Sequence, residues 1–399
     1  MRNSALYGFS ISAAAALLAG CGGTQSGIPK APIIAPDRTD ARKAGTTPYF
    51  KSLYAFETPA FPAGGLINVN GTLYGTTSAG GGKRHRIGSG AVYSITTGGM
   101  EHVLYYFSHS RSPRHYGGGP MAALIDVNGK LYGTTEYGGK YGEGTVFRIS
   151  TAGAEKVIHS FGSDSDGAYP VSRLLNVNGT LYGTTEYNGG STGCGTVFSL
   201  TPSGSEHLLY SFNGEPDGCE PSAGLIDVNG TLYSTTRFGG MYGGGTVFSI
   251  STSGSEQVLH SFGSGSDGME LDSGLLDVNG TLYGSTRYGG LYEGTLYSIS
   301  TSGSEQVLHN FGGGSDGQSP EGDLVEMNGT LYGTTTVGGT NGQGTIFSTS
   351  TTGSETVLHN FNGDDGKFPL GDLIALGGTL YGVTFFGGFG DGTVFTLTP

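Results

Sequence analysis

Short runs of alternating apolar and polar residues recur throughout residues 49 to 399, and glycine-rich segments separate them. One copy reads Gly224-Leu-Ile-Asp-Val228, Thr231-Leu-Tyr-Ser-Thr-Thr236, Thr246-Val-Phe-Ser-Ile250 and Gln257-Val-Leu-His-Ser-Phe262. Runs rich in β-branched and aromatic residues, joined by turn pairs such as Asn229-Gly230, are typical of β-strands in hairpins. No part of this region has a sustained helical period, so the pattern predicts an all-β fold with four strands per copy.

The four-strand unit occurs seven times, and a Leu-Tyr pair in its second strand marks each copy. The first two pairs are 58 residues apart and the later ones 49 to 51. Repeats of about 50 residues with four strands favour propeller blades over solenoid coils, whose repeats are shorter. A β-solenoid or an open array is the alternative. The pairs begin at Leu73, Leu131, Leu181, Leu232, Leu282, Leu331 and Leu380.

The two ends of the repeat region complement each other. The last copy stops after its third strand, at Thr393-Val-Phe-Thr-Leu397, whereas Tyr49-Phe-Lys-Ser-Leu-Tyr-Ala-Phe56 matches a fourth strand placed ahead of the first copy. An N-terminal strand that completes the last blade closes a ring, and an open array would gain nothing from this arrangement. The sequence therefore predicts a seven-bladed β-propeller of four-stranded blades, with the last blade closed by the N-terminal strand.

The repeated units Gly-Thr-Leu-Tyr-Gly-Thr-Thr, Gly-Gly-x-x-Gly-x-Gly-Thr-Val-Phe and Val-Leu-His-Ser-Phe closely resemble the GloVer tandem repeat of bacterial exported proteins. The resemblance covers all seven copies over residues 49–399. WD40, kelch and quinoprotein propellers usually carry a tryptophan in each repeat, and this chain has none. The resemblance implies the architecture and an exported protein joined to a surface anchor. It implies no particular activity.

The N-terminus has the features of a lipoprotein signal peptide. Arg2 precedes an apolar run from Ala5 to Leu18, which is too short to span a bilayer, and Leu18-Ala-Gly-Cys21 resembles the bacterial lipobox. We therefore expect residues 1–21 to be the signal segment, with Cys21 as the lipidated residue. The protein is then lipid-anchored in the cell envelope, at the outer membrane if the cell is Gram-negative, and either periplasmic or surface-exposed.

Residues 22–48 contain several prolines and no hydrophobic period, which is typical of a flexible tether. Its expected reach is on the order of 30 Å. The propeller domain then occupies residues 49–399.

The net charge of the protein argues against two classes of binding partner. Only 13% of the residues are charged and the formal net charge is -13, which argues against nucleic acid and anionic membrane surfaces as general partners. We expect a monomer that meets the membrane only through its lipid anchor and that binds an envelope or extracellular glycan or protein.

Topology places the loops on two opposite faces of the propeller. The loops between second and third strands and those leading to the next blade share one face, which we call the loop face. The short turns occupy the other, the turn face. Tyrosines on the loop face are candidate binding platforms for sugars or partner side chains, and packing between blades is the alternative. They are Tyr137, Tyr141, Tyr187, Tyr242, Tyr288 and Tyr292.

The first copy also carries two basic inserts in loops of the same face. These inserts are candidates for binding a phosphate, an acidic glycan or an acidic partner, and a solvated loop is the alternative. Their basic residues are Lys83, Arg84, Arg86, Arg111 and Arg114. Cys194 and Cys219 also fall on the loop face, and because an exported protein matures in an oxidising compartment, we expect a disulfide between them.

Repeated polar positions have structural and functional interpretations. Asp-Gly pairs follow the fourth strand at Asp166, Asp217, Asp267, Asp316 and Asp365. We predict ordinary turns and no cofactor or metal, with Ca²⁺ held by these loops as the alternative. A ring of polar residues before the Asn-Gly turns could meet water or a cation, and histidines of the fourth strand are expected to be half-buried.

The chain contains no nucleophile elbow, zinc-binding helix motif or phosphate loop, so we assign no catalytic residue. The leading hypothesis is a cell-envelope lipoprotein whose propeller is a non-catalytic binding or scaffold module for a glycan or protein partner. The alternative is an extracellular carbohydrate-active enzyme, of glycoside hydrolase or lyase type, with its site at the channel mouth. That alternative requires at least two unrepeated acid or base residues to converge.

Overall fold

The computed structural model describes residues 47–57, 60–80, 89–107, 117–163, 165–388 and 390–399. The proposed signal segment with Cys21 and nearly all of the tether lie outside the described residues. So do the five basic residues of the inserts, Lys83, Arg84, Arg86, Arg111 and Arg114. Among the described residues, no helix that could cross a membrane is found.

The described strands form seven four-stranded antiparallel sheets, the blades, within a compact unit of residues 46–399. The chain starts with β1 (Tyr49–Ala55), which belongs to the last blade. Blade 1 comprises β2 (Ile67–Val69), β3 (Thr72–Thr77), β4 (Ala91–Thr96) and β5 (Glu101–Tyr106). After the two-residue β6 (Gly117–Gly118), blade 2 comprises β7 (Ile125–Val127), β8 (Lys130–Thr135), β10 (Thr145–Ser150) and β11 (Glu155–Ser160); β9 (Tyr137–Gly138) pairs with β6.

The next three blades repeat this order from the channel outwards. Blade 3 comprises β12 (Leu175–Val177), β13 (Thr180–Thr185), β14 (Thr196–Leu200) and β15 (Glu206–Ser211). Blade 4 comprises β16 (Ile226–Val228), β17 (Thr231–Thr236), β18 (Thr246–Ser251) and β19 (Glu256–Ser261). Blade 5 comprises β20 (Leu276–Val278), β21 (Thr281–Thr286), β22 (Thr295–Ser300) and β23 (Glu305–Asn310).

The last two blades complete the ring. Blade 6 comprises β24 (Val325–Met327), β25 (Thr330–Thr335), β26 (Thr345–Thr349) and β27 (Glu355–Asn360). Blade 7 comprises β28 (Ile374–Leu376), β29 (Thr379–Thr384), β30 (Thr393–Thr398) and, as its outer strand, β1. Strand β1 pairs with β30 from Tyr49 opposite Thr398 to Ala55 opposite Thr393. The predicted seven-bladed all-β propeller, closed by its N-terminal strand, is confirmed.

The short first strand of each blade lies innermost, and neighbouring first strands contact one another around a central channel. Each hydrophobic cluster joins two blades. Phe212 from the end of blade 3 packs with Leu232, Phe248 and Ile250 of blade 4. Fully burying such a side chain stabilises the fold by roughly 1.5–3 kcal/mol, so the inter-blade layers hold the ring together.

The turn face is built from Asn-Gly hairpins. Asn229 and Gly230 have φ angles of 54° and 84°, which asparagine and glycine tolerate better than other residues. The Gly230 N–H donates to Asp227 Oδ1 at 2.7 Å. Asn68, Asn176, Asp277 and Glu326 accept the same bond in other blades, so these side chains of the polar ring cap their own turns.

Candidate functional site

The loop face brings together the two sets of long loops. In blades 2 to 7 the loop entering the blade pairs antiparallel, over one or two residues, with the loop between the second and third strands of the same blade. Ala168 pairs with Tyr187 in blade 3, and Met269 pairs with Tyr288 in blade 5. The bridges fix the loop backbones relative to one another.

One residue of each entering loop links neighbouring blades and has a positive φ angle. Glu220, with φ of 58°, donates its N–H to the Cys194 carbonyl of blade 3 at 3.0 Å, and its carbonyl accepts the Arg237 N–H of blade 4 at 3.0 Å. Because both bonds use only the backbone, the side chains at these positions can differ from blade to blade. The equivalents of Glu220 are Phe61, Gly119, Tyr169, Glu270, Ser319 and Phe368.

At and beside these variable positions, blades 4 to 6 carry a chain of alternating charges, which we call the charge ladder. Arg237 Nη2 lies 3.3 Å from Glu270 Oε2, and Arg237 Nε lies 3.0 Å from Asp272 Oδ1. Arg287 Nη1 lies 3.4 Å from Asp272 Oδ2, and Arg287 Nε lies 3.1 Å from Glu321 Oε1. Burial raises the pKa of Glu321 to about 7, although Arg287 opposes the shift. The ladder ties three blades together through their loops.

Blades 2 to 4 carry a second group, which we call the acid–tyrosine cluster. It consists of Glu136, Tyr137, Tyr169, Glu186, Tyr187 and Glu220. The Tyr137 and Tyr169 rings meet edge to face at 5.7 Å between centroids, and Tyr169 meets Tyr187 at 5.8 Å in the same way. Three rings therefore form a continuous aromatic row beside three carboxyl groups.

The pKa values of Glu186 and Glu220 in the acid–tyrosine cluster are raised. Burial, followed by the charges of Glu220 and Glu136, raises the pKa of Glu186 to about 8, and Arg237 opposes this shift. Burial also raises the pKa of Glu220, while Arg237 and a hydrogen bond with Tyr187 lower it. Glu220 Oε2 is buried without a hydrogen-bond partner among the described residues. At neutral pH the cluster thus offers the protonated Glu186 carboxyl group as a donor and the unpartnered Glu220 oxygen as an acceptor.

Three charged residues at one repeat position, two residues before the first strands of blades 3, 6 and 7, interact with one another, and we call them the channel bridge. Arg173 Nη2 of blade 3 lies 3.6 Å from Asp323 Oδ2 of blade 6. The Asp323 N–H donates to Asp372 Oδ1 of blade 7 at 2.9 Å. Burial and the Asp323 charge raise the pKa of Asp372 to about 6. Arg173 also lines a cavity of about 470 Å³ along the inner strands of blades 1 to 4.

The structure separates the predicted tyrosines into two groups. Tyr137, Tyr187 and Tyr288 directly follow the second strands, and Tyr288 lies under the Arg287 guanidinium at 5.0 Å. Tyr141, Tyr242 and Tyr292 lie at the tips of the loops before the third strands, where their exposed fractions are 43%, 55% and 57%. The six rings do not form one platform.

The two cysteines of the loop face form a disulfide between Cys194 and Cys219. Cys194 lies in the loop before β14, and Cys219 lies in the loop that leaves blade 3. Because Cys219 is adjacent to Glu220 and the Glu220 N–H is bonded to Cys194, the disulfide holds the Glu220 backbone from two sides.

The Asp-Gly loops use their carboxylates internally. Asp267 Oδ1 accepts the Gly263 N–H at 3.2 Å, and Asp267 Oδ2 lies 3.2 Å from His260 Nε2. Asp166, Asp316 and Asp365 hold a histidine in the same way, and Asp217 accepts the Tyr210 hydroxyl at 2.6 Å. Within the described ranges, no group of three or more histidine, cysteine or acidic residues is arranged to hold a metal ion. The carboxylates of the Asp-Gly pairs thus make hydrogen bonds within their own turns and to the fourth strand, as residues of ordinary turns do.

Reasoning from the repeat missed the most distinctive side chains, because it followed the residues that the copies share. A comparison of the copies position by position contains the signal. The second strand ends in threonine in all seven copies, whereas the next position varies and reads Ser78, Glu136, Glu186, Arg237, Arg287, Thr336 and Phe385.

The sequence matches the family model of the Gloeobacter/Verrucomicrobia repeat over residues 62–293 and 230–399. None of the curated proteins matches the sequence. Among solved structures, a gluconolactonase from Xanthomonas campestris is similar at 12% identity and a TM-score of 0.42, over 88% of this chain and 89% of that chain. A puromycin-hydrolyzing peptidase from Mycobacterium tuberculosis is similar at 12% identity and a TM-score of 0.48, over 82% of this chain and 51% of that one.

Proposed function

The chain belongs to the Gloeobacter/Verrucomicrobia repeat family, and from that premise we propose a cell-envelope lipoprotein, anchored through Cys21, whose propeller is a non-catalytic glycan-binding module. The ligand binds on the loop face, over the acid–tyrosine cluster. The observation that carries this proposal is the row of Tyr137, Tyr169 and Tyr187 beside Glu186 and Glu220, which join only in blades 2 to 4 among the described residues.

The chemistry of the cluster suits a neutral glycan. Tyrosine rings pack against the C–H face of a sugar while their hydroxyls stay polar. The unpartnered Glu220 Oε2 accepts a hydrogen bond from a sugar hydroxyl, and protonated Glu186 donates one. The surplus of acidic over basic side chains in the cluster disfavours an anionic polymer. The five basic residues of the inserts stay a prediction for a separate acidic ligand.

The test is binding of the full-length protein to an array of neutral and acidic glycans and to envelope protein extracts. We expect binding to a neutral glycan and no released product. The variant Glu186→Gln/Glu220→Gln should bind about tenfold more weakly, because it disturbs two hydrogen bonds to the ligand that are worth roughly 0.5–1.5 kcal/mol each. Glu256→Gln is the matched control, since it replaces a half-buried repeated carboxyl group on β19, and should bind like the wild type. Unchanged affinity of the double variant, or binding to protein alone, would refute the proposal.

A carbohydrate-active enzyme is the second candidate, and the same two carboxyl groups favour it. Glycosidases use a pair of carboxyl groups of which one is protonated, and the raised pKa of Glu186, about 8 with the Glu220 charge as one of its causes, suits that acid. The rival predicts new reducing ends when the bound glycan is incubated with wild type and none with Glu186→Gln. Absence of product from every bound glycan would exclude it.

A further inference from the structure

A groove lies on the outer surface between blades 4 and 5, away from the acid–tyrosine cluster. It has a volume of about 590 Å³, within the range of small-ligand sites. The outer strands β19 and β23 form its two sides, and the tip of the loop before β18 overhangs it. Its lining includes Tyr242, His260, Ser264, Asp267 and Glu305.

The overhanging tip presents apolar side chains to solvent in a fixed place. Met241 and Tyr242 are 66% and 55% exposed. The Met241 N–H donates to Ser261 Oγ at 3.3 Å, which ties the tip to the end of β19. A Cβ on Gly263 would come within 3.0 Å of the Tyr242 carbonyl oxygen, so the backbone beneath the tip has to be glycine. An exposed ring held by its backbone can receive a ligand at a low entropic cost.

The floor of the groove is polar, and one of its buried oxygen atoms lacks a hydrogen-bond partner among the described residues. His260 and Asp267 pair at 3.2 Å. Glu305 Oε1 is buried and has no hydrogen-bond partner among the described residues. Burial and the Asp267 charge raise the pKa of Glu305 to about 7, so this carboxyl group can donate or accept near neutral pH. Donors and acceptors beside an aromatic wall are what a ring rich in hydroxyls requires.

The same set of residues recurs between blades 5 and 6. Leu291 and Tyr292 are 66% and 57% exposed, and the Leu291 N–H donates to Asn310 Oδ1 at 2.9 Å. His309 pairs with Asp316 at 3.0 Å, and Glu355 Oε1 is buried without a partner among the described residues. Between blades 2 and 3 the equivalents are Tyr141, the pair of His159 and Asp166 at 3.2 Å, and Glu206.

Two other inter-blade positions lack the tyrosine and serve as internal comparisons. Thr192 takes its place in blade 3 and donates to the Phe212 carbonyl at 2.9 Å. Asn341 takes its place in blade 6 and donates to the Phe361 carbonyl at 3.0 Å. There Phe50 of β1 also stacks on His359, with ring centroids 3.7 Å apart, and covers the histidine. The tyrosine wall is therefore a feature of particular grooves and is not required by the blade.

We propose that the three tyrosine-walled grooves each bind one unit of a neutral carbohydrate polymer, so that the propeller holds the polymer multivalently. Equivalent grooves repeated around a ring suit a ligand built of equivalent units, which most protein partners are not. The acidic floors disfavour an anionic polymer. Several weak sites on one frame raise the affinity for a polymer by about 10²–10⁴ over that for a single unit. The inference shares with the proposed function only the class of ligand, because no residue is common to the two sites.

The test compares polymer with short oligosaccharide for full-length wild type, Tyr242→Ala, Tyr292→Ala and the double variant. The probe is a panel of soluble neutral polysaccharides and their di- and trisaccharides, with binding measured by biolayer interferometry. Each single substitution should weaken polymer binding about fivefold, and the double about 25-fold or more. Tyr106→Ala, which removes a 46%-exposed tyrosine at the end of β5, is the matched control and should bind like the wild type.

Two results would overturn the inference. One is a polymer affinity no greater than that for the short oligosaccharide, and the other is an unchanged polymer affinity in the double variant. The Glu186→Gln/Glu220→Gln variant separates this inference from the proposed function. If it alone loses polymer binding, the grooves are not sites; if the tyrosine double variant alone loses binding, the grooves are sites and the cluster is not. Thermal unfolding verifies that each variant is folded.

Discussion

Single side chains of the loop face differ between copies while the backbone beneath them stays the same. The positive-φ residue of each entering loop makes the same two backbone hydrogen bonds whether it is Glu220, Tyr169 or Phe368. Substitution at these positions therefore costs the scaffold little, in contrast to the buried Phe248 or Leu232. Acidic, basic and aromatic side chains have accumulated where the fold does not constrain them, as expected for loops on a rigid frame.

Glu186 should make the stability of the folded protein depend on pH. Its pKa is raised from 4.5 to about 8 in the folded protein, so the folded state binds a proton that the unfolded state releases between these values. The contribution of Glu186 to stability is complete below about pH 4.5 and is lost as the pH rises through 8. Relative to Glu186→Gln, which does not titrate, the wild type should become less stable across this window.

Thermal unfolding of both proteins at a series of pH values measures this difference. The difference in Tm between wild type and Glu186→Gln should fall from pH 4.5 to about 8 and then level off. A difference that does not vary with pH would show that Glu186 titrates normally.

At the scale of elements, one covalent bond connects loops of the loop face and one strand closes the ring of blades. The disulfide joins two loops of blade 3, and β1 joins the two ends of the chain. Both were visible in the sequence, because the cysteines fell in loops of one face and the strand pattern was shifted by one strand. The charge ladder and the channel bridge were not visible. They form between blades, where residues such as Arg173 and Asp323 are neighbours only once the ring is closed.

Removal of the disulfide should destabilise the blade 3 loops and loosen Glu220. A bridge across 25 residues is expected to stabilise the fold by about 3 kcal/mol through the entropy of the unfolded chain. We expect Cys194→Ser/Cys219→Ser to lower the free energy of unfolding by about that amount in denaturant titration. Wild type that is denatured without reductant should show no free thiol from this pair, and two thiols would contradict the disulfide.

Loss of β1 should open blade 7. Phe50 stacks on His359 and packs near Phe361 and Phe395, so its removal exposes the core shared by blades 6 and 7. The substitution Phe50→Ala should cost roughly 2–3 kcal/mol, below the range for a fully buried phenylalanine because Phe50 is only partly buried. Limited proteolysis should then cut first near the two chain ends. Lys51→Ala, at an exposed position of the same strand, is the control; equal protection of both variants would indicate that β1 does not close the ring.

At the scale of the whole molecule, periodicity predicted the number of blades, the strand order and the closure, because each copy carries the same turn and core residues. The predicted tyrosines all lie in loops of the loop face, at two different distances along them. The sequence did not show what each group contacts, because the packing of Tyr187 on Tyr169 and the position of Tyr242 beside the outer strands form only once neighbouring blades are in place. The lipid anchor and the basic inserts stay predictions.

Glycan binding over the acid–tyrosine cluster can be measured by hydrogen–deuterium exchange of the full-length protein, with and without a saturating neutral glycan selected from the array. We expect slower exchange in the loop-face segments of blades 2 to 4, around residues 134–144, 166–173, 185–195 and 218–224, with the glycan recovered intact. Protection confined to the turn face, or no protection at a saturating concentration of glycan, would contradict it.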